Sequence, residues 1–167
     1  VRGWPGVGKT TLARFLAHDD ELARRFPDGV LWVSLGPSPQ ILAELQVWGR
    51  AVGMPELVTA NSIQEATLRL AAALLDRRML LLIDDVWETV HATPFAVGGR
   101  ECATLITTRL SSVADQLAQR PGDAYVLPVL TEEDSLSLLE TLAPDVVAEH
   151  REACRELVRE LQGLPLA

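Results

Sequence analysis

A chain of 167 residues, 48% of them hydrophobic, is long enough for one domain with a proper core and a small appendage. Its formal net charge of −8, from 15 basic and 23 acidic residues, argues against a dedicated nucleic-acid or anionic-membrane surface, because both require a basic patch. Cys102 and Cys154 lack metal-ligand spacing, and no apolar run is long enough to span a bilayer. We therefore expect a cytoplasmic protein with reduced cysteines and no membrane segment.

The first predicted element is a phosphate-binding loop at Gly3–Thr11, which fits the pattern GxxxxGK[ST]. Glycines in such a loop let backbone N–H groups turn inward and form a positively polarised cradle for a polyphosphate at the N-terminus of the next helix. Lys9 is expected to reach the β- and γ-phosphates, and the Thr10 hydroxyl is expected to ligate Mg²⁺. The nucleotide-binding residues predicted in this loop are Gly3, Pro5, Gly6, Val7, Gly8, Lys9, Thr10 and Thr11.

Lys9 is the only lysine in the chain, and all other basic residues are arginines. Arginine would serve equally well as a solvated surface charge, whereas a compact ammonium ion is suited to a phosphate. The alternative is an ordinary glycine-rich turn before a helix. The lone lysine at this position favours the phosphate-binding interpretation.

Strands and helices alternate after the loop. The apolar strands are predicted at Val30–Leu35, Met79–Ile83, Ala103–Thr107 and Ala124–Val129. Helices are predicted at Thr10–Phe26, Ile41–Val52 and Ser111–Leu117. A further helix is predicted to begin at a capping box formed by Ser62 and Glu65. This alternation predicts an α/β fold, a parallel sheet with helices on both faces. Together with the phosphate-binding loop it resembles the fold of the P-loop NTPases, and this resemblance implies the strand order 5-1-4-3-2.

The chain is predicted to contain two units. Residues 1–129 form the nucleotide-binding α/β domain, and residues 130–167 begin a small helical subdomain. In the second unit one helix is capped by Thr131, and another spans Val146–Gln162 and is ended by Gly163. Because little sequence precedes the loop, we interpret the chain as a segment of a longer protein.

Two carboxylates, Asp84 and Asp85, follow the apolar run Met79–Ile83. Ligands of open α/β sheets bind at the carboxyl ends of the strands, so both side chains are expected at the nucleotide. Asp84 is the predicted Mg²⁺ partner, through water, and Asp85 is the predicted catalytic residue that orients or deprotonates the attacking water. The alternative for such a pair is a turn or a helix cap.

Arg109 follows the next apolar strand and is expected at the same edge of the sheet. Its guanidinium could bind a γ-phosphate and distinguish a triphosphate from a diphosphate. Thr107 and Thr108 are expected to hold Arg109 or to hydrogen-bond the phosphate. The alternative is a surface arginine at the start of a loop. We expect Trp4, Trp32 and Trp87 to be packing residues rather than base-stacking platforms.

Taken together, these stretches resemble the NB-ARC domain of the STAND class of P-loop NTPases, which occurs in plant disease-resistance proteins, animal apoptosome scaffolds and bacterial regulators. The residues that carry the resemblance are Gly3–Ala13, Leu31–Ser34, Leu82–Trp87, Leu105–Arg109 and Gly163–Ala167. They occur in the family's order and cover the whole chain.

The resemblance implies roles for particular residues. The nucleotide would lie between the P-loop domain and the helical unit, with Leu164 and Pro165 near the base. Arg109 would be the γ-phosphate sensor and Asp85 the catalytic base. The family further implies an ATP/ADP switch with slow Mg²⁺-dependent hydrolysis, nucleotide-controlled self-oligomerisation, and flanking effector and sensor domains.

Two other classes of function remain open from the sequence. One is a turnover enzyme, either a small-molecule kinase or a P-loop ATPase motor, although the helical tail offers no obvious lid and the acidic pair does not end in glutamate. The other is an ADP-locked scaffold that never hydrolyses nucleotide.

Overall fold

The computed structural model describes residues 1–165 and has a parallel three-stranded sheet at its centre. The strands are β1 (Val30–Gly36), β2 (Leu80–Val86) and β3 (Ala103–Thr108), in the order β1-β2-β3. Their nearly continuous apolar sequences explain this arrangement, since strands covered on both faces have no solvent side. β2 is the central strand of the three and is buried at almost every position.

Two isolated bridges extend the sheet beyond β3. Arg2 pairs in parallel with Thr108 on one side and with Val126 on the other. Numbered along the chain, the paired segments therefore follow the order 5-1-4-3-2, which confirms the predicted topology.

The predicted strand Ala124–Val129 is wrong in extent, because only Val126 makes a bridge there. Its neighbour in the sheet contributes a single paired residue, Arg2, before the chain turns into the loop. Pro128 also lacks the N–H that a continuing ladder would need. Val126 lies at the outer edge of the paired segments, as the proline predicts.

The helices cover the sheet and form the C-terminal part of the chain. Along the chain they are α1 (Lys9–Ala17), α2 (Asp20–Arg25), α3 (Ile41–Ala51), α4 (Pro55–Val58), α5 (Ile63–Leu74), α6 (Thr89–Ala92), α7 (Ser111–Leu117), α8 (Glu132–Leu142), α9 (Pro144–Glu149) and α10 (Arg151–Glu160). A 3₁₀ turn, Thr93–Phe95, follows α6. No helix within residues 1–165 is both long and apolar enough to cross a bilayer.

Two helices predicted as continuous are each broken in the structure. The helix predicted at Thr10–Phe26 divides into α1 and α2, because the Asp19 carboxylate accepts hydrogen bonds from the N–H groups of Glu21 and Leu22 and caps a new helix. The helix predicted at Val146–Gln162 divides into α9 and α10 at His150, whose backbone is not helical (φ −131°). Side-chain capping and a local backbone change thus override a continuous helical pattern.

Hydrophobic cores on the two faces of the sheet confirm that helices cover both. Alternate residues of β2 point to opposite sides, so Leu81 and Ile83 join one core while Leu80 and Leu82 join the other. The first core contains residues of α3, α5 and α7, and the second is closed by α1 and α2. Trp48 is buried in the first core, where its indole N–H donates to the Trp32 carbonyl at 3.0 Å.

The apolar residues of α1, Leu12, Phe15 and Leu16, suggest one buried face, and the structure buries only part of it. Lys9 and Ala13 are the buried residues of α1, whereas the Phe15 side chain is 69% exposed. The first turn of α1 follows the loop and contacts the sheet, so the face of the helix that contains Lys9 and Ala13 points inward. Leu12 and Leu16 are partly buried, so the hydrophobic periodicity misplaced only Phe15.

Residues 130–165 have a small core of their own. Leu136 of α8, Val147 of α9, and Cys154 and Val158 of α10 pack together and are all buried. As predicted, the Thr131 side chain caps α8 by accepting a hydrogen bond from the N–H of Asp134. Cys102 and Cys154 are both free thiols.

Candidate nucleotide-binding site

The backbone of the loop takes its shape from glycines. Gly6 and Gly8 have φ values of 79° and 99°, in the left-handed region that glycine adopts without steric cost. A Cβ on Gly3 would lie 2.8 Å from the Leu127 carbonyl oxygen, so packing against the neighbouring segment excludes any larger residue there. Val7 is buried and anchors the middle of the loop in the protein. The backbone around Gly8 faces open space, as a cradle for a ligand requires.

The Lys9 side chain folds back over this loop. Its ammonium donates to the carbonyl oxygens of Gly3 at 2.8 Å and Trp4 at 2.9 Å. Burial lowers the pKa of Lys9, as does the nearby Arg109 guanidinium, while Asp85 and Asp84 act in the opposite direction. An ammonium has three N–H donors, so two hold the loop and one is left to bind an anion.

Asp84 is buried near the end of the central strand, and its carboxylate accepts hydrogen bonds from hydroxyl groups on three elements. Thr10 Oγ1 lies 3.0 Å from each carboxylate oxygen, Thr107 Oγ1 lies 2.5 Å from Oδ1, and Ser34 Oγ lies 3.4 Å from Oδ2. A buried carboxylate needs such donors because it is costly to remove from water unpaired. The loop, β1 and β3 are therefore all tied to Asp84.

Ser34 was not predicted as part of the site. It lies in β1 directly opposite Asp84 in the parallel register. The signals in the sequence were its place in Leu31–Ser34, one of the stretches that carry the resemblance, and a hydroxyl near the carboxyl end of an otherwise apolar strand. The meaning of this hydroxyl depends on the register between β1 and β2, which the sequence does not specify.

The strand containing the acidic pair extends further than predicted. β2 continues to Val86, so Asp84 and Asp85 lie within the strand rather than after it. The register is irregular between Ile83 and Val86, and Asp85 has a left-handed φ of 52°. The Asp85 N–H donates to Thr107 Oγ1 at 3.0 Å. At this bulge the two carboxylates come to lie in different surroundings: Asp84 is buried, and Asp85 is partly exposed.

Asp85, Trp87 and Arg109 form one cluster beside the loop. Arg109 Nε lies 3.3 Å from Asp85 Oδ1, and the Trp87 indole N–H donates to Asp85 Oδ2 at 3.1 Å. The Arg109 guanidinium carbon lies 5.4 Å from the centre of the Trp87 ring, a distance at which cation–π attraction acts. Trp87 was expected only to pack, but its indole contacts both Asp85, the predicted catalytic base, and Arg109, the predicted γ-phosphate sensor.

Thr107 and Thr108 were expected to hold Arg109 or to bind the phosphate, but in the structure their hydroxyl groups bond to residues of β2. The Thr107 hydroxyl joins Asp84 to the backbone of Asp85, and the Thr108 hydroxyl donates to the Val86 carbonyl at 2.7 Å. Both threonines are almost fully buried. They fix the end of β2 against β3 and so determine where the acidic pair lies.

A cavity of about 620 Å³ opens between the loop and the segment after β3. Its lining includes Gly3, Trp4, Pro5, Trp87 and Arg109. Trp4, expected as a packing residue, is instead 73% exposed. Trp32 does pack as expected, in the core on the second face of the sheet.

Leu164 and Pro165 line a different cavity, of about 200 Å³, with residues of α8 and α10. The structure therefore does not place these two residues in the cavity beside the loop. The remainder of the closing motif, Leu166 and Ala167, lies outside the described residues.

The parallel sheet, the glycine loop before α1, and a carboxylate of the central strand bonded to the loop threonine define a P-loop nucleotide-binding domain. The sequence model of the NB-ARC domain family matches residues 1–148, and the chain belongs to this family. It is thus a nucleotide-binding signalling module.

Several curated proteins are similar over essentially the whole chain. The chain is 33% identical to the regulatory protein AfsR of Streptomyces griseus, covering 100% of the chain and 17% of that protein. It is 32% identical to human apoptotic protease-activating factor 1, covering 99% of the chain and 14% of that protein. It is also 32% identical to a probable disease resistance protein of Arabidopsis thaliana, covering 100% of the chain and 20% of that protein. The chain thus spans a fifth or less of the length of these relatives.

Proposed function

We propose that this chain is the ATP/ADP switch of a STAND signalling protein, with slow Mg²⁺-dependent hydrolysis and nucleotide-controlled oligomerisation. The observation that carries the proposal is the contact between Thr10 of the loop and Asp84 of the central strand. It brings a hydroxyl and a carboxylate together beside the N-terminus of α1, where phosphate groups bind.

The loop binds the polyphosphate. Backbone N–H groups of Gly6–Thr11 and the remaining N–H of the Lys9 ammonium supply the donors. Lys9 suits this role because its other two N–H groups already hold it against the loop carbonyls, so little side-chain freedom is lost on binding.

Thr10 and Asp84 hold Mg²⁺ in this proposal. A hydroxyl and a carboxylate are hard oxygen ligands, which Mg²⁺ prefers, and the two groups are already adjacent. Bound there, the ion would neutralise phosphate charge. Thr107 and Ser34 keep the Asp84 carboxylate oriented through their own hydrogen bonds.

Asp85 accepts the proton of the attacking water, and Arg109 binds the terminal phosphate. Both residues lie at the carboxyl edge of the sheet, and Arg109 lines the cavity beside the loop. Both oxygens of Asp85 already have partners, Arg109 and Trp87, which leaves fewer lone pairs for water. This arrangement favours slow hydrolysis, as a switch requires, over rapid turnover.

The helical unit transmits the nucleotide state in this proposal. We place the boundary near residue 129, since residues 130–165 have a separate core. We assign Leu164 and Pro165 to the base-binding side of the nucleotide on the resemblance to the NB-ARC domain, although they line a cavity separate from the one beside the loop. Effector and sensor domains flank the chain in the full-length protein, which oligomerises in the ATP form. Free cysteines support a reducing, cytoplasmic location.

The test is nucleotide binding by the intact protein, measured as a thermal shift with ATP and ADP at millimolar concentration, with and without Mg²⁺. A ligand at about a thousandfold over its Kd adds roughly 4 kcal/mol to the free energy of unfolding. No shift with either nucleotide would contradict the proposal. Bound ADP that resists exchange would favour the locked scaffold, and fast steady-state hydrolysis would favour a turnover enzyme.

A further inference from the structure

The Arg109 guanidinium is held from two directions. Its Nε pairs with Asp85 Oδ1 at 3.3 Å, and its carbon lies 5.4 Å from the centre of the Trp87 ring. The Arg109 side chain is nevertheless 43% exposed, so without these contacts it would sample many rotamers. The carboxylate and the indole together restrict its direction.

The ion pair with Asp85 involves the Nε side of the guanidinium. Nε is the Arg109 nitrogen paired with Asp85, and neither terminal nitrogen makes a hydrogen bond to Asp85 within residues 1–165. Two terminal nitrogens can together bind two phosphate oxygens, and Arg109 lines the same cavity as Gly3 and Pro5 of the loop. The arrangement leaves the phosphate-binding side of the guanidinium available.

Trp87 is itself fixed in place. Its indole N–H donates to Asp85 Oδ2 at 3.1 Å, and it follows Val86, whose carbonyl accepts a hydrogen bond from the Thr108 hydroxyl at 2.7 Å. The ring is therefore anchored both through its own N–H and through the end of β2. A fixed aromatic face is a suitable surface against which a planar guanidinium can be oriented.

We propose that Trp87 is a positioning residue that orients Arg109 toward the terminal phosphate and thereby increases the preference of the site for a triphosphate over a diphosphate. The inference rests on the proposed function, since it requires that Arg109 binds this phosphate. Its physical basis is preorganisation, because a side chain already held in its binding geometry loses less entropy on binding.

The experiment uses the intact protein and measures the Kd of a non-hydrolysable ATP analogue and of ADP, both with Mg²⁺. Trp87→Leu removes the aromatic face and the N–H, whereas Trp87→Phe keeps a face and removes only the N–H. Trp32→Phe is the matched control, because Trp32 packs in the core on the second face of the sheet. Circular dichroism checks that each variant is folded.

Trp87→Leu is expected to weaken binding of the ATP analogue by about two- to fivefold, the effect of one exposed cation–π contact, and to leave ADP binding unchanged. Trp87→Phe should restore part of the loss, and Trp32→Phe should change neither Kd. In an Arg109→Ala background, Trp87→Leu should have no further effect on the ratio of the two Kd values.

Two results would overturn the inference while the proposed function stands. They are an unchanged ratio of the two Kd values, including an equal loss for both nucleotides, and tighter binding of the ATP analogue by Trp87→Leu. The second would mean that Trp87 holds Arg109 away from the phosphate. If the parent protein binds neither nucleotide, the proposed function and the inference both fail.

Discussion

Thr10 Oγ1 lies 3.0 Å from both carboxylate oxygens of Asp84, although the two residues are 74 positions apart in the sequence. The contact joins the first turn of α1 to the central strand of the sheet. It exists because a parallel sheet brings the carboxyl ends of its strands to one edge, where the loop also turns into its helix. The two residues proposed to hold Mg²⁺ therefore meet through the topology of the fold.

Asp84→Asn is predicted to abolish the Mg²⁺ dependence of nucleotide binding. The amide keeps the shape of the side chain but removes the negative charge that a divalent cation requires. Isothermal titration with ADP, with Mg²⁺ and with EDTA, measures the effect: Mg²⁺ should tighten binding in the parent but not in the variant. Asp76→Asn, at an exposed position after α5, is the control and should behave like the parent. Equal Mg²⁺ dependence in Asp84→Asn and the parent would remove Asp84 from the metal site.

Lys9→Ala is predicted to weaken binding of both ATP and ADP by about tenfold or more, because charge-assisted hydrogen bonds contribute about 1.5–3 kcal/mol. Lys9→Arg is not expected to restore binding, since a planar guanidinium cannot occupy the place of a buried ammonium that donates to Gly3 and Trp4. Equilibrium binding of a fluorescent nucleotide measures the loss. Arg14→Ala, at an exposed position of α1, removes a positive charge outside the loop and should bind normally. Full affinity in Lys9→Ala would contradict the proposed role.

The sequence predicted most of the site because its residues occur in local patterns. Each of these patterns can be recognised within a few residues: the glycine loop, the acidic pair after an apolar run, and Arg109 after another apolar run. The rule that strand ends share one edge of a parallel sheet is then enough to bring them together. The strand order of the sheet was also predicted correctly, but it came from the resemblance to P-loop NTPases and not from a local residue pattern.

The features that the sequence did not predict depend on register or on individual side chains. Ser34 joins the site only because β1 and β2 pair with Ser34 opposite Asp84. The contact of Trp87 with Arg109 depends on the bulge at Asp85, which no residue pattern indicated. The division of the first predicted helix depends on a single capping carboxylate, Asp19, within a continuous helical pattern.

Thr107→Val is predicted to lower the free energy of unfolding by about 1.5–3 kcal/mol, because it removes the hydroxyl that donates to the buried Asp84 carboxylate. Denaturant unfolding of the purified protein measures the change. Thr104→Val, at an exposed position of the same strand, is the matched control and should change stability by less than about 0.5 kcal/mol. Equal stability of the two variants would show that the Thr107 hydroxyl is not needed to hold Asp84.

Asp85→Asn is predicted to slow ATP hydrolysis by about 10²- to 10⁴-fold, the usual contribution of a general base. Binding should change little, within about fivefold for a triphosphate, since the variant weakens only partly exposed contacts, the ion pair with Arg109 and the hydrogen bond from the Trp87 indole. Single-turnover hydrolysis and equilibrium binding separate the two effects. Loss of binding as large as that in Lys9→Ala would contradict this division of roles.

Gly163→Ala is predicted to destabilise the helical unit more than its backbone conformation alone would explain. Gly163 has a φ of 70°, its carbonyl accepts a hydrogen bond from the Leu130 N–H at 2.9 Å, and a Cβ there would lie 2.2 Å from the Leu130 carbonyl oxygen. The left-handed conformation costs alanine about 1–2 kcal/mol, and the clash with the backbone adds about 1–3 kcal/mol. Gly122→Ala is the matched control, because Gly122 also has a positive φ (96°) but its Cβ would meet no atom within 4 Å.

Hydrogen exchange measures the effect of Gly163→Ala on each part of the chain. Amides of α8 and α10 should lose protection in Gly163→Ala, and those of β2 should not, because the core of residues 130–165 is separate from the cores of the sheet. Gly122→Ala should leave α8 and α10 protected. Uniform loss of protection across β2, α8 and α10 would show that the sheet and the helical unit unfold together, and the boundary near residue 129 would then not separate two units.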